Sequence, residues 1–395
     1  MKIFVKILHI PRRVAQLLVA RFLAVATPIR ANRVVFVTST GRYDCNPKWI
    51  CEEILRRKPG WEVVWSYRGG EGDRKAEFPR QVRLVKYESL SYYRALAGAR
   101  MIVDNSISVA YSRYRPKKGQ TFVETWHGSL GIKRTTPEDV NDRFWRWHAF
   151  RTGSFTDYCI SNGSFENEIY EMAFWPKTPK LPFGHARNDI LCPDRATEAA
   201  AIREKVRRQL GVPSADRICL YAPTYRDKPG GNGVAVPDVK RLKDSLSRRF
   251  GGTWTVWCRS HFRCGQLGGG VSASGMVDVS GYSDIQELLT AVDVGITDYS
   301  SWICEYMLTG RPGFIYAPDV EDFTRCERGL YYPLSELPFP VARSDLELGR
   351  VIVTFDESAF AVRRRAFLAA KGSTDDGHAA ERTADWMAGF LRGTE

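Results

Sequence analysis

Arg33-Val34-Val35-Phe36-Val37-Thr38, running into Ser39-Thr40-Gly41, is the stretch on which the fold turns. Its apolar, β-branched residues do not alternate with polar ones, so it reads as a strand buried on both faces, as in a parallel sheet flanked by helices. Working outward, a helix is predicted over 46–57 and strands over 61–66, 82–85, 101–104, 121–125 and 158–161, with a helix at 89–98. The pattern restarts after a proline-containing break at 176–193. A helix over 195–210, ended by Gly211, leads into strands at 217–222, 253–257, 277–279, 294–297 and 313–316, with helices at 284–292 and 300–309. A last helix, about 375–393, is expected to pack back on the body. The fold class is therefore α/β, with two Rossmann-like domains facing a cleft. The divisions read as 1–30, an amphipathic segment; 31–190, an N-terminal domain; 191–372, a C-terminal domain; and 373–395, the returning helix.

The chain has 395 residues, of which 44% are hydrophobic and 26% charged, enough for two cores without metal or disulfide support. Nine cysteines form an odd, scattered set with no C-x-x-C pair, which reads as reduced cytoplasmic thiols; Cys258 and Cys264 flank His261 without a common zinc spacing. Glycine-rich stretches at 229–233 and 265–275 lack both the dinucleotide fingerprint and the phosphate-loop lysine, and read as mobile surface loops. The formal charge of +13 calls for an anionic partner. Lys2, Lys6, Arg12, Arg13, Arg21 and Arg30 fall in the first thirty residues with no acid, so this segment supplies nearly half of the excess. Helical spacing places Val14, Leu17, Leu18, Phe22 and Val25 on one side, with Arg12, Arg13 and Arg21 flanking them. No uncharged run approaches the roughly 20 residues that cross a bilayer. The segment reads as an interfacial anchor on anionic lipids, its alternative being a helix docked on its own domain or helping to make a dimer. Nucleic acid is not the expected partner, since no basic recognition helix, zinc finger or RNP sequence is present.

Four polar clusters follow predicted strands, where side chains of α/β folds face a ligand cleft. In Thr125-Trp126-His127-Gly128, the histidine has backbone room for a substrate and a near-neutral pKa suited to taking a proton from an alcohol; a buried structural histidine is the equal alternative. In Thr224-Tyr225-Arg226-Asp227, Arg226 either grips a phosphate, helped by the Thr224 hydroxyl, or pairs with Asp227. Arg259-Ser260-His261 presents a second histidine. The sharpest is Thr297-Asp298-Tyr299-Ser300-Ser301, where a strand ends at Asp298 and a helix begins near Ser300, so that hydroxyls and backbone N–H groups coincide as a diphosphate cradle. This inventory suits transfer of a phosphoryl-containing or glycosyl group from a nucleotide diphosphate. It does not suit hydride transfer, and no metal cage is evident.

The stretches ETWHGSLGIKR at 124–134, YAPTYRD at 221–227, RSHF at 259–262, DVSGYSDIQELLTAVDVGITDYSSWICEY at 278–306 and ERGLYYPL at 327–334 resemble, in order, the CDP-glycerol glycerophosphotransferase family of teichoic acid primases and polymerases, including ribitol-phosphate transferases. The resemblance spans about 120–335. It implies a two-domain fold of the glycosyltransferase B type, peripheral attachment to the cytoplasmic face of the cell membrane, and a CDP-glycerol or other CDP-polyol donor. The implied acceptor is an undecaprenyl-diphosphate-linked saccharide or a growing polymer.

By the same resemblance His127 and His261 are the activity-associated histidines, Ser300 and Ser301 the donor diphosphate site, and Arg328 with Gly329 the pair of the late loop. Gly128, Thr224, Arg226 and Asp298 complete the expected substrate contacts. Two departures stand out: Phe262 follows His261 where the family has proline, and Phe323 follows Asp319 where a tyrosine is common. A divalent cation remains open as a helper of phosphoryl transfer. The competing functions are a ribitol-phosphate transferase, a nucleotide-sugar glycosyltransferase of the same fold, and a non-enzymatic polyanion binder.

Overall fold

The computed structural model describes residues 14, 16–57, 60–69, 74–128, 130–135, 142–224, 234–259, 275–326 and 329–392. Among them the first sheet comprises β1 (Arg33–Val37), β2 (Glu62–Tyr67), β3 (Arg83–Lys86), β4 (Met101–Asp104), β5 (Thr121–Glu124), β6 (Tyr158–Ile160) and β7 (Lys180–Leu181). The second comprises β8 (Arg217–Tyr221), β9 (Trp254–Cys258), β10 (Val277–Asp278), β11 (Val294–Thr297), β12 (Gly313–Tyr316) and β13 (Val341–Ala342). The orders are β3-β2-β1-β4-β5-β6-β7 and β10-β9-β8-β11-β12-β13, with every neighbouring pair parallel. Strand order reverses at β1/β4 and again at β8/β11, and such switch points leave a crevice at the carboxyl ends of the strands. All five residues of β1 are buried: Val34–Val37 as their unbroken apolar run requires, and Arg33 with its guanidinium on the Glu62 carboxylate.

The predicted strands appear within a residue or two of their expected positions, whereas the two-residue β7 and β13 carry too little pattern to be seen in sequence. Helices over Arg143–Gly153, Ser164–Ala173, Val239–Phe250, Asp345–Val353 and Glu357–Ala370 were also unpredicted. Seven cysteines among the described residues are free and buried, and act as core side chains. The glycine-rich loops lie outside the described residues, apart from Gly275.

The domains meet over charged as well as apolar contacts. Lys48, in the helix Cys45–Arg57 after β1, reaches across to Asp284 and Glu287 at 2.7 and 2.6 Å, and Arg187 pairs with Glu305. The chain crosses between domains through the short turn Ala186–Leu191 and crosses back near Gly372, whose carbonyl packs so closely on Gly163 that a β-carbon there would stand 2.1 Å from it. The helix Ala379–Arg392 then lies on the first domain. The Asp189 carboxylate accepts from the backbone N–H of Ala379 and Ala380 at its start, and Trp386 packs on Tyr158 at 5.0 Å.

Near the amino terminus a helix over 16–26 buries Ala20 and Leu23 against the first domain and turns Val14, Leu18, Phe22 and Val25 outward. Leu17, expected on the outward side, is half-buried, and Arg21 is exposed. Beside this helix, Arg113 and Arg151 stand over the exposed Trp147, at 5.8 and 5.6 Å. Burial, then the charges of Arg115, Arg113 and Arg21, pull the Arg151 guanidinium below its ordinary value, the signature of one basic cluster. Lys2, Lys6, Arg12 and Arg13 lie outside the described residues. Among the described residues no helix is long and apolar enough to cross a membrane.

Candidate functional site

His127 follows β5 and is exposed at the cleft. Its Nδ1 lies 2.6 Å from the carbonyl oxygen of Asn105, just past β4; a carbonyl only accepts, so Nδ1 carries the proton and Nε2 is left as the basic nitrogen. The loop holding it is tightly determined. Trp126 and Leu130 adopt left-handed φ values of 51° and 47°, a cost that surrounding bonds must offset. Asn46 Nδ2 donates to the carbonyls of Thr125 and Trp126, the Thr125 N–H donates to the Asp104 carbonyl, and the Trp126 ring lies against the imidazole at 4.4 Å.

The second half of the site forms at the β8/β11 switch point. Asp298 was expected to touch the substrate, but it is buried, and its Oδ1 accepts from the backbone N–H groups of Thr224 and Tyr299 at 2.7 and 2.5 Å. It thus ties the ends of the two strands together. Thr224 is buried too, while Ser300 and Ser301 are half-buried. The expected helix over 300–309 is instead a five-residue helix, Trp302–Tyr306, followed by a 3-10 turn, Met307–Thr309, that closes on left-handed Gly310. The helix that the expected cradle would use is thus short, contributes little macrodipole, and has no side-chain cap from Ser301. Tyr299 stacks on Phe323 at 3.9 Å and donates its hydroxyl to Asp319, so the two residues of the departure noted above buttress this loop.

The two halves close on each other. A β-carbon on Gly128 would stand 3.5 Å from Ser301 Oγ, so the residue after His127 faces the second serine directly. Nearby, the strap after the late loop pairs antiparallel with the segment after Gly128: Lys133 bridges Leu330, Arg134 N–H donates to the Gly329 carbonyl, and the Tyr332 hydroxyl donates to the Leu130 carbonyl at 2.8 Å. Gly329 is therefore next to Arg134 in this strap. Arg226, His261 and Arg328 lie outside the described residues.

Arg259, two residues before His261, is buried at the end of β9 and gives its guanidinium to the carbonyls of Val279 and Tyr282; burial pulls it down to about 10. Among the described residues no group of three or more His, Cys, Asp or Glu side chains converges as metal ligands would. Sequence reasoning passed over Asn105 and the segment Gly41-Arg42-Tyr43-Asp44-Cys45-Asn46 after β1. The rule that polar residues following strands face the cleft points to both.

A model of the family described as CDP-Glycerol:Poly(glycerophosphate) glycerophosphotransferase matches residues 19–388. The chain belongs to this family. It is 29% identical over 383 residues to a teichoic acid poly(glycerol phosphate) polymerase of Staphylococcus epidermidis, covering 90% of this chain and 50% of that protein. It is 33% identical over 285 residues to a teichoic acid ribitol-phosphate primase of Bacillus spizizenii, covering 70% of this chain and 72% of the primase. The chain spans about half the length of the first of these curated relatives. A solved structure of the wall teichoic acid polymerase TagF, a histidine variant soaked with CDPG, superposes with a TM-score of 0.79 at 27% identity, covering 93% of this chain and 90% of that one. Within this glycerophosphotransferase family the α/β architecture of two parallel-sheet domains is shared.

Proposed function

We propose that the protein transfers glycerol phosphate from CDP-glycerol to a hydroxyl of a membrane-linked acceptor, releasing CMP, in the synthesis of teichoic acid or a related cell-surface polymer. The observation that carries this reading is the apposition of a histidine, oriented by its Nδ1 on the Asn105 carbonyl, and a hydroxyl-lined loop, Gly128 against Ser301, across one cleft. The two domains then work as a glycosyltransferase B pair, the first presenting the acceptor and the second holding the donor.

In this mechanism the acceptor oxygen attacks the β-phosphorus of CDP-glycerol. A new P–O bond forms as the bond to the CMP oxygen breaks, CMP leaves with its electron pair, and the acceptor proton passes to Nε2 of His127. Ser300 and Ser301 hold the diphosphate, with Gly128 and Gly329 allowing close approach and Asp298 fixing the backbone at Thr224. The phosphoryl charge falls to His261, Arg226 and Arg328. The test is incubation with radiolabelled CDP-glycerol and a lipid-linked disaccharide. CMP release coupled to glycerol-phosphate incorporation is expected, and CDP release from a nucleotide-sugar donor would overturn the reading. Similarity to a ribitol-phosphate primase favours CDP-ribitol as the second donor to try.

The acceptor's lipid brings the enzyme to the inner membrane surface, and residues 1–30 are its peripheral anchor in this reading. Support comes from the outward Val14, Leu18, Phe22 and Val25 with the adjoining cluster of Arg21, Arg113, Arg115 and Arg151 around Trp147. An apolar stripe beside arginines suits a bilayer carrying anionic lipid.

A further inference from the structure

Directly behind His127, β4 and β5 end on two carboxylates in register: Asp104 is the partner of Glu124 across the strand pair, and both are buried. Each serves one of the two turns that meet at the histidine. Asp104 Oδ1 and Oδ2 accept from the N–H groups of Ser106 and Val109, at 3.2 and 2.9 Å, which folds the chain so that the intervening Asn105 carbonyl faces His127 Nδ1. Glu124 Oε1 accepts from the Trp126 N–H at 2.9 Å, at the residue with left-handed φ that launches the histidine. Among the described residues Glu124 Oε2 has no hydrogen-bond partner.

We propose that Asp104 and Glu124 are a carboxyl pair that positions His127 for proton transfer, Glu124 by holding the turn at Trp126 and Asp104 by holding the turn that offers the Asn105 carbonyl to Nδ1. This rests on the reading of His127 as the base. Beside the pair stand one guanidinium and mostly neutral groups. The groups around Asp104 are Arg68, Tyr87 and Tyr92, and those around Glu124 are Cys159 and Tyr170. Burial pushes Asp104 up to about 7, and burial followed by the charge of Asp104 pushes Glu124 well above the usual carboxylate range, which favours a proton held between the two. A protonated Glu124 accepts from Trp126 through its carbonyl oxygen as well as a carboxylate does, without placing a second buried charge behind the imidazole. An amide side chain has the same shape and acceptor, which makes Gln the diagnostic replacement.

The experiment compares Glu124→Ala with Glu124→Gln in the full chain, by kcat and KM for CMP release from CDP-glycerol and by 15N NMR of protein labelled at its six histidines. The His127 resonance is assigned by its loss in His127→Ala. Glu124→Ala should lower kcat roughly ten- to a hundredfold, the scale of a misplaced reacting group, with donor KM little changed, and should erode the Nδ1–H tautomer of His127. Glu124→Gln should restore both. Wild-type kcat and tautomer in Glu124→Ala, or a Gln variant as impaired as Ala, would overturn the proposal. If the alanine variant does not fold, Asp104→Asn, which keeps one of its two acceptors, carries the test: a fall in kcat with a changed tautomer is expected, and wild-type values of both overturn it. The tautomer is read whether or not His127 is the base. A folded His127→Ala enzyme with normal transfer would fail the base reading alone.

Discussion

His127 has one ring nitrogen committed to the Asn105 carbonyl, so its replacement by alanine removes a proton acceptor at the cleft without emptying the core. The His127→Ala variant should fold and bind CDP-glycerol normally by calorimetry while CMP release falls roughly 10² to 10⁴-fold. Ser300→Ala and Ser301→Ala should act differently: each removes a hydroxyl contact to the donor diphosphate, costing about 1.5 to 3 kcal/mol for a hydrogen bond to a charged group, read as a higher KM for donor with stability little changed. Stability is spared because neither hydroxyl caps the helix that follows. At this scale the positions of His127 and the two serines just past strand ends were legible because the strands before them are apolar runs. The Asn105 contact was not, because it is made by a backbone carbonyl that any residue supplies, and the backbone ties of Asp298 were not, because sequence does not say that a carboxylate turns toward two backbone N–H groups.

The helix over 16–26 offers a test at the level of one element. Its inner face is held by Ala20 and Leu23, so Leu18→Glu with Phe22→Glu on the exposed face should leave the melting temperature within a few degrees of wild type. Sedimentation with vesicles containing anionic lipid should nevertheless fall severalfold, and added salt should weaken the residual binding, since part of the attraction is screened. Amphipathic spacing made that helix visible in advance, all but Leu17. The helices over Asp345–Val353 and Glu357–Ala370 were not visible in advance, because the second buries only Phe360 and Phe367 and so lacks an apolar stripe. Their caps, Ser344 and Asp356, whose side chains accept from Glu347 and Ala359 N–H, are the local signal that was available. The Trp302–Tyr306 segment was overextended for the converse reason: apolar residues continue through Met307 and Leu308 after the α-helical turn has tightened.

Across the whole molecule, Lys48 joins the domains by an ion pair with both partners buried, so Lys48→Met should destabilise the protein by about 3 to 5 kcal/mol in urea at pH 7, leaving Asp284 without its cation. Burial alone would raise Glu287, but Lys48, Tyr282 and Lys205 together bring it down to about 2. A depressed acid stabilises the fold fully above its unfolded value near 4.5 and loses that contribution as pH falls through about 2, so wild-type melting should decline over that window and the Lys48→Met variant should decline less. The order of apolar runs determined by itself that there are two parallel sheets, and that the polar clusters stand at strand ends, because strands buried on both faces admit little else. Which ends meet is set by the packing of the two domains. Gly128 faces Ser301, and the 130–135 segment pairs with the strap that begins at Gly329 through contacts joining residues 195 to 202 positions apart. Local periodicity carries no term for such distances; they are set by how the two domains pack across Lys48, Arg187 and the crossing segments, which brings the proposed base and the serine loop into one cleft.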